Sequence, residues 1–566
     1  MDESRAHIQG IDKESSATIE YLDEIHVLPS ERRSRCCNTR RISSKGAILV
    51  LVVCVAVDTG YYSGLNAVAQ NILADVNAPP AFQNLFGIFL IGTSLPQLFY
   101  PIAGWMADAC VGRYKVTKIS IWLVYIGHCV FFFPFLFLQL IEKLQYVYII
   151  FPVAYLVINV GLAGFRTNII QFGMDQMVDA SASQLSAFIH WYYWSTYVGS
   201  ATASMILECL LPGYLPFVIG IGISVALSGS ALLCWHSLNK WFVKEPKSIN
   251  PFKIVFKVLK FSSKHKVPIH RSSLTYWDDT KPSRLDLGKT KYGGPFSTEE
   301  VEDVKTFFAI TLVLLSLGGF LIINDTYLGF VAYEMNNPPV GKLCSIGDIL
   351  VTQDLLILFG IPVYEFVIYP IFQNYIPTTL KKIGFGIVVN IASVASALAL
   401  DLYVHEGRYH PPNDQCIFLE QNTTDRNVKI SSAYVIIPAT LENIAELIVF
   451  IAIYEFIFAQ SPYSMRSMLV GAFYTIQGLF AMVSLLIGVT VTYGYNSSWK
   501  ASCGTVYTSI TIFFGIIGLI VYTMAARKYR RRLRDEHIDQ HFIVESYFSS
   551  QEANSDCPHG TQQKDY

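Results

Sequence analysis

Ionisable side chains stand inside long apolar stretches of this 566-residue chain, and Asp58, Arg166, Asp325, Asp354, Glu442, Glu446 and Glu455 are the candidates for chemistry. A charge at the centre of a bilayer-spanning helix costs at least roughly 2.5–3.5 kcal/mol on insertion scales, so each needs a partner, a wet cavity or a proton. One arginine against several acids is an unbalanced set, in which some carboxylates pair and others carry protons. At about 100° per residue, Glu442 and Glu446 share a helix face, whereas Glu455 lies about 180° from Glu446. The three cannot all serve one ligand. Arg166 stays charged under any burial, so it can hold a carboxylate but cannot be the titrating carrier. Two plainer readings stand beside these: Arg166 snorkelling to an interface, and Glu446 in a structural ion pair.

Aromatic residues gather at Tyr61-Tyr62 and at Trp191-Tyr192-Tyr193-Trp194. Rings with a polar edge suit a cavity for small amphiphilic ligands, because they stack and still hydrogen-bond. An interfacial aromatic belt is the competing reading of residues 191–194. No nucleophile–base arrangement, phosphate loop or HExxH pattern occurs, so no enzyme activity is expected. Eleven cysteines form no metal-ligand spacing, and neither cofactor nor metal is expected. A formal net charge of -1 removes the global electrostatic case for nucleic acid.

The elements that must position these groups are membrane helices. The chain is 52% hydrophobic and only 15% charged, against about 25% charged in average soluble domains, and its mean hydropathy is +0.39. Stretches of about 20 apolar residues, enough to cross a bilayer core, occur twelve times: near 47–73, 84–107, 117–139, 146–169, 187–210, 214–237, 306–332, 349–373, 383–403, 433–458, 467–492 and 504–526. The organisation expected is a tail over residues 1–46, six spans over 47–237, a polar linker over 238–305, six spans over 306–526 and a tail over 527–566. Residues 240–266 space apolar positions among lysines, which fits either an amphipathic helix on the membrane surface or a solvated linker helix.

Arg and Lys crowd the ends of the membrane portion, from Arg32 to Lys45 and from Arg527 to Arg534. The positive-inside rule then makes both termini cytosolic, as an even number of spans requires. Glycosylation acceptors at Asn422 and Asn496 fall in loops on the opposite side. Cys344, Cys416 and Cys503 share that side, where a disulfide can form.

The run Gly104-Trp105-Met106-Ala107-Asp108-Ala109-Cys110-Val111-Gly112-Arg113 resembles the G-x-x-x-D-x-x-x-G-R loop of major facilitator transporters. More narrowly, Phe172-Gly173-Met174-Asp175-Gln176, the segment 191–200, Gly294-Pro295-Phe296 with Val301-Glu302-Asp303-Val304-Lys305, and Glu446 with Glu455-Phe456 resemble the proton-dependent oligopeptide transporter family (solute carrier family 15). The linker motif is most similar to its peptide/histidine transporters. The resemblance implies an all-α membrane protein with the major facilitator fold, twelve transmembrane helices in two pseudo-symmetric six-helix bundles, a site between them and alternating access.

By position, Arg166 stands where the family has a lysine, Asn168 matches a nearby asparagine, and Glu446 matches the glutamate of the tenth helix. The resemblance implies that these hold the carboxylate and amino ends of a ligand, with Tyr61, Tyr62, Trp194 and Asp354 around it. Asp58 and Asp325 are the expected proton carriers, and Asp108, Gly112 and Arg113 the expected conformational gate. Two departures stand out. The family's E-x-x-E-R motif falls on Val55-Ala56-Val57-Asp58-Thr59, which keeps one acid and loses the other acid and the arginine. The asparagine of F-Y-x-x-I-N-x-G is replaced by Tyr197.

The resulting expectation is a secondary active transporter of histidine and/or di- and tripeptides, proton-coupled and directed toward the cytosol. Its partners are then a small amino acid or peptide, protons and the lipid bilayer, with cytosolic adaptors as further candidates for the tails or linker. The rivals are a transport-impaired receptor or scaffold for such cytosolic partners, and an uncoupled facilitator. The resemblance favours an endosomal or lysosomal membrane, with the plasma membrane as the alternative.

Overall fold

Long apolar runs become long helices here because, in lipid, every backbone N–H and C=O must be satisfied within its own segment. The computed structural model describes residues 40, 42, 44–68, 95–140, 147–178, 180–204, 215–244, 251–265, 283–323, 349–372, 375–406, 432–494 and 503–529. The elements below all lie within one unit, Ile42–Tyr566. In chain order they are α1 (Lys45–Val68), α2 (Tyr100–Trp105, entered by a 3-10 turn and continued by a π-helical turn Met106–Val111), α3 (Arg113–Leu140), α4 (Val147–Asp175), α5 (Ala182–Ser204) and α6 (Leu215–Ser237). The linker carries α7 (Pro251–Lys264). Then come α8 (Thr298–Leu315), α9 (Gly318–Ile322), α10 (Ile349–Val363, continued by a π-helical turn Tyr364–Ile368), α11 (Tyr369–Phe372), α12 (Thr379–Glu406), α13 (Ile436–Gln460), α14 (Arg466–Gly494) and α15 (Cys503–Lys528).

Among the described residues, eight helices are long and apolar enough to cross a membrane. They answer to the first, third, fourth, sixth and ninth to twelfth of the twelve expected spans. The other four are represented by α2, α5, α8 with α9, and α10 with α11. The seventh begins earlier than its apolar run, at Thr298, because Ser297 and Glu300 form a reciprocal capping box that satisfies the first free N–H groups. Hydroxyls inside the spans bond back to their own helix, as Thr59 does to Val55 O and Thr167 to Ala163 O, so they add no unsatisfied donor to the membrane interior.

Large apolar side chains line the outside. Phe133, Phe137, Leu233, Phe359, Phe366 and Phe513 are each more than half exposed. A surface like this belongs against lipid tails, and the protein is a multi-pass membrane protein. Inside, α1 packs on α5 and α6, α3 on α4 and α6, α12 on α13 and α15, and α10 on α13. Among the described residues, α14 meets α2 and α4, and α5 meets α10 and α13, which joins the N-terminal helices to the C-terminal ones. At the first crossing the backbones touch, since a Cβ on Gly104 would sit 2.5 Å from Ser467 O.

Candidate functional site

Asp58 and Arg166 come together from α1 and α4. Arg166 Nη2 donates to Asp58 Oδ1 at 3.1 Å, with the carboxylate sealed and the guanidinium side chain 22% exposed. The other carboxylate oxygen, Asp58 Oδ2, is buried with no hydrogen-bond partner among the described residues. One turn along α1, Tyr61 and Tyr62 place their rings 5.2 and 6.0 Å from the guanidinium carbon, and the two rings meet edge to face at 5.2 Å. A cation over aromatic faces keeps part of its stabilisation when an anionic partner leaves. Arg166 is therefore paired inside the bundle and does not snorkel.

Glu446, on α13, is only partly buried. Its Oε1 accepts from Tyr197 OH of α5 at 2.9 Å, and Tyr197 in turn accepts from Tyr193 OH at 3.1 Å. Tyr193 stacks on Phe450, one turn beyond Glu446. The residue that departs from the expected asparagine thus ties Glu446 to the N-terminal helices. Tyr62 lies within electrostatic range of both Tyr193 and Tyr197, so a tyrosine wall runs from Arg166 toward Glu446. Tyr454 and Tyr474 extend it, pairing their hydroxyls at 2.9 Å, and Tyr474 packs against Tyr100. Sequence reasoning missed Tyr100, Tyr454 and Tyr474. Their one signal was a phenol in the middle of an apolar span, which needs a polar partner there.

The remaining expected site residues sit elsewhere. Asn168 lies about 200° around α4 from Arg166, and its amide donates to Gly164 O and Ala103 O, which holds α4 to α2. Trp194 donates from Nε1 to Leu358 O at 2.9 Å in the α5–α10 contact. Glu442 is buried. Glu455 is far round α13 from Glu446, as its phase requires, and pairs with Lys382 at 3.0 Å. The side chain of Asp354 and all of Asp325, Asn422 and Asn496 lie outside the described residues. Cys503 is disulfide-bonded.

At the end of the bundle bearing the Asp108–Arg113 loop, three sets of polar contacts tie N-terminal to C-terminal helices. Gly112 turns the chain at φ 94°, a conformation that favours glycine. Buried Arg113 then reaches Asp108 at 2.9 Å and Asp175 at 2.8 Å, and donates across to the Tyr463 hydroxyl and carbonyl at 3.1 and 3.2 Å. Asp108 Oδ2 accepts from Met468 N–H at 3.3 Å. Second, Ser186 of α5 donates to Glu455 at 2.6 Å. Third, His190 of α5 places Nδ1 3.0 Å from Glu365 of the C-terminal half and stacks on Tyr364. His190 and Glu365 were not singled out from sequence, because each reads alone as a polar residue near a helix end. This end of the molecule is closed.

The linker braces that closure. Val255 and Val258 of α7 pack with Val301, Val304 and Met465, the last lying two residues beyond Tyr463. Phe296 of the Gly-Pro-Phe turn joins the cluster. Around it, Asp286 lies 2.6 Å from Lys289 and 2.5 Å from Lys305, Lys289 also pairs with Glu302, and Lys305 lies 3.1 Å from Glu302. Partial burial pushes the Asp286 carboxyl up, but hydrogen bonds from Lys289, Lys305 and Ser283 more than reverse it and hold it well below the usual carboxylate range. Glu302 is lowered by the same balance.

The POT family model matches residues 114–510. The chain belongs to the POT family. This POT family chain is 20% identical over 466 residues to mouse solute carrier family 15 member 3, covering 73% of the chain and 77% of the relative. It is 24% identical over 356 residues to human solute carrier family 15 member 2, covering 59% of the chain and 46% of that protein. It is 21% identical to protein NRT1/PTR family 5.14 of Arabidopsis thaliana over 490 residues, 78% of the chain and 84% of the relative. Among solved structures, it superposes on the POT family transporter PepTSo with a TM-score of 0.62 at 18% identity, covering 86% of the chain and 99% of that structure. An auto-inhibited POT family peptide transporter gives 0.59 at 17% identity, over 87% and 98%. The fold is that of the major facilitator transporters, and the POT family chain is not an enzyme.

Proposed function

We propose that the protein is a secondary active transporter of short peptides and histidine, coupled to protons and directed toward the cytosol. The observation that carries this reading is the Asp58–Arg166 pair, in which the carboxylate is buried and the guanidinium is partly open. A ligand carboxylate competes with Asp58 for Arg166. Displacing Asp58 as an anion leaves an uncompensated buried charge, at a cost of about 3–5 kcal/mol. A proton arriving on Asp58 removes that cost, and its unpartnered Oδ2 is the open seat. Proton and ligand therefore bind together: Asp58 becomes neutral and Arg166 exchanges one carboxylate for another.

At the other end, Glu446 takes the ligand's ammonium in place of the Tyr197 hydroxyl, since an ammonium adds the attraction of opposite charges to the hydrogen bond that a neutral hydroxyl gives. Tyr61 and Tyr62 form the aromatic floor, with Asn168 and Trp194 as supports of the helices around it and Asp354 as a further lining group. Asp325 is a second candidate proton carrier. Loading of the site then loosens the contacts of Asp108, Gly112 and Arg113, and the two six-helix halves joined by the linker rock apart.

Both termini and the Arg113 loop are placed in the cytosol by the positive-inside rule. Glycosylation at Asn422 and Asn496, and residence in an endosomal or lysosomal membrane, complete the reading. Proteoliposomes with an inward-acid gradient test it by uptake of labelled histidine and a dipeptide. Accumulation of at least one is expected, and gradient-independent signals for both would remove the transporter reading.

A further inference from the structure

The helix α7 has three faces, and one of them packs into the linker cluster. At about 100° per residue, Pro251, Val255, Val258 and Ser262 fall on one side of its circumference, and all four are buried, with Val255 and Val258 in the cluster of Val301, Val304 and Met465. Phe252, Phe256 and Leu259 form the neighbouring strip, and they are 42%, 66% and 40% exposed. Beyond them Lys253, Lys257, Lys260 and Lys264 lie within about 60° of one another, all exposed, and the helix contains no acidic residue.

An exposed apolar strip bordered by a lysine stripe matches a surface that is greasy on one side of a plane and anionic on the other. The position of α7 supplies the plane. Phe252 meets Trp105 edge to face at 5.6 Å, and Trp105 ends the second membrane segment beside the Asp108–Arg113 loop. Nearby on the same end, Trp241 is half exposed with the Lys45 ammonium 6.0 Å from its ring, the residue pair that anchors helices at headgroup depth.

We infer that α7 is a binding site for anionic phospholipid headgroups, with its lysine stripe on the phosphates and its Phe252–Phe256–Leu259 strip among the upper acyl chains. Its buried face stays on the gate-bracing cluster. Lipid charge then sets how firmly the linker holds the closed end, whatever the central site carries. The observations argue for membrane and not for an acidic protein, because lysines alone would serve either but the adjoining exposed apolar strip meets Trp105 at the end of a membrane segment.

Hydrogen exchange of the full-length protein in nanodiscs tests this. Segment 251–264 is expected to exchange severalfold more slowly in discs of phosphatidylcholine mixed with phosphatidylserine than in phosphatidylcholine alone. High salt should shrink the difference, since screening acts on exposed charges. The triple variant Lys257→Gln, Lys260→Gln and Lys264→Gln should abolish it, and the matching Arg variant should keep it. Equal exchange in both discs overturns the inference, as does a difference that survives in the Gln variant. Protection by soluble polyglutamate where phosphatidylserine gives none assigns the stripe to a protein partner and equally overturns it. Should the Gln variant not fold, the wild-type comparison and its salt dependence still decide.

Discussion

Asp58 and Arg166 face each other at 3.1 Å across the α1–α4 contact, and they are unequal partners, one sealed from solvent and one 22% exposed. The proposed coupling rests on that asymmetry: the exposed cation is the end a ligand would approach, and the sealed anion is the group a proton would release.

Glu446 should read the amine end of the ligand. Glu446→Gln is expected to weaken binding of a dipeptide by about 1.5–3 kcal/mol, the usual worth of a hydrogen bond to a charge. An N-acetylated dipeptide, which has no ammonium to lose, should bind wild type and variant alike. Isothermal titration with the two ligands checks this, and equal losses for both would place Glu446 outside the ligand site.

On the proposed reading Tyr197, which donates to Glu446 Oε1, competes with that amine. Tyr197→Phe removes this donor and should tighten dipeptide binding severalfold while leaving the N-acetylated ligand unchanged. A weakened dipeptide in the same titration would mean that Tyr197 positions Glu446 and does not compete for it.

Closure at the Arg113 end depends on the α2–α14 backbone contact. Gly104→Val places a Cβ 2.5 Å from Ser467 O, a distance real Cβ atoms do not adopt. The helices must separate, so counterflow should fall at least tenfold while ligand-induced thermal stabilisation persists. Loss of both would point to general misfolding.

The linker ion network should withstand acid. Asp286 and Glu302 have folded pKa values below their ordinary ones, so their contribution is complete above about pH 5 and is lost progressively as pH falls from the unfolded values through the lowered folded ones. Exchange protection of residues 283–305 is expected to be the same at pH 7 and pH 5. A fall in protection between them would mean that Asp286 and Glu302 take up protons above their ordinary range, the opposite of the lowered values.

Much of this was legible from spacing. The helical phase separated Glu446 from Glu455, and the two do take different partners, Tyr197 and Lys382. The run from Gly104 to Arg113 stood out by its resemblance to a transporter loop, and its Arg113 bridges to Tyr463. Pairings between distant spans were not legible. Nothing in the local sequence says that Asp58 meets Arg166 or that His190 meets Glu365, because helix neighbours in a bundle are set by packing and not by chain order. Asn168 shows the converse limit: two residues from Arg166, it turns to the other side of the helix and serves Ala103. The linker helix was equally undetermined, since one lysine-rich pattern fits water or membrane until its buried face is known.

The coupling claim is tested most directly by the pH dependence of dipeptide binding to Asp58→Asn. Wild-type affinity should rise as pH falls, because protonation of Asp58 releases Arg166. The variant, whose Arg166 has no anionic rival, should bind with an affinity that no longer varies with pH, and should support counterflow without gradient-driven accumulation. A variant that keeps the wild-type pH profile would contradict the account, because the proton would then be carried by another group.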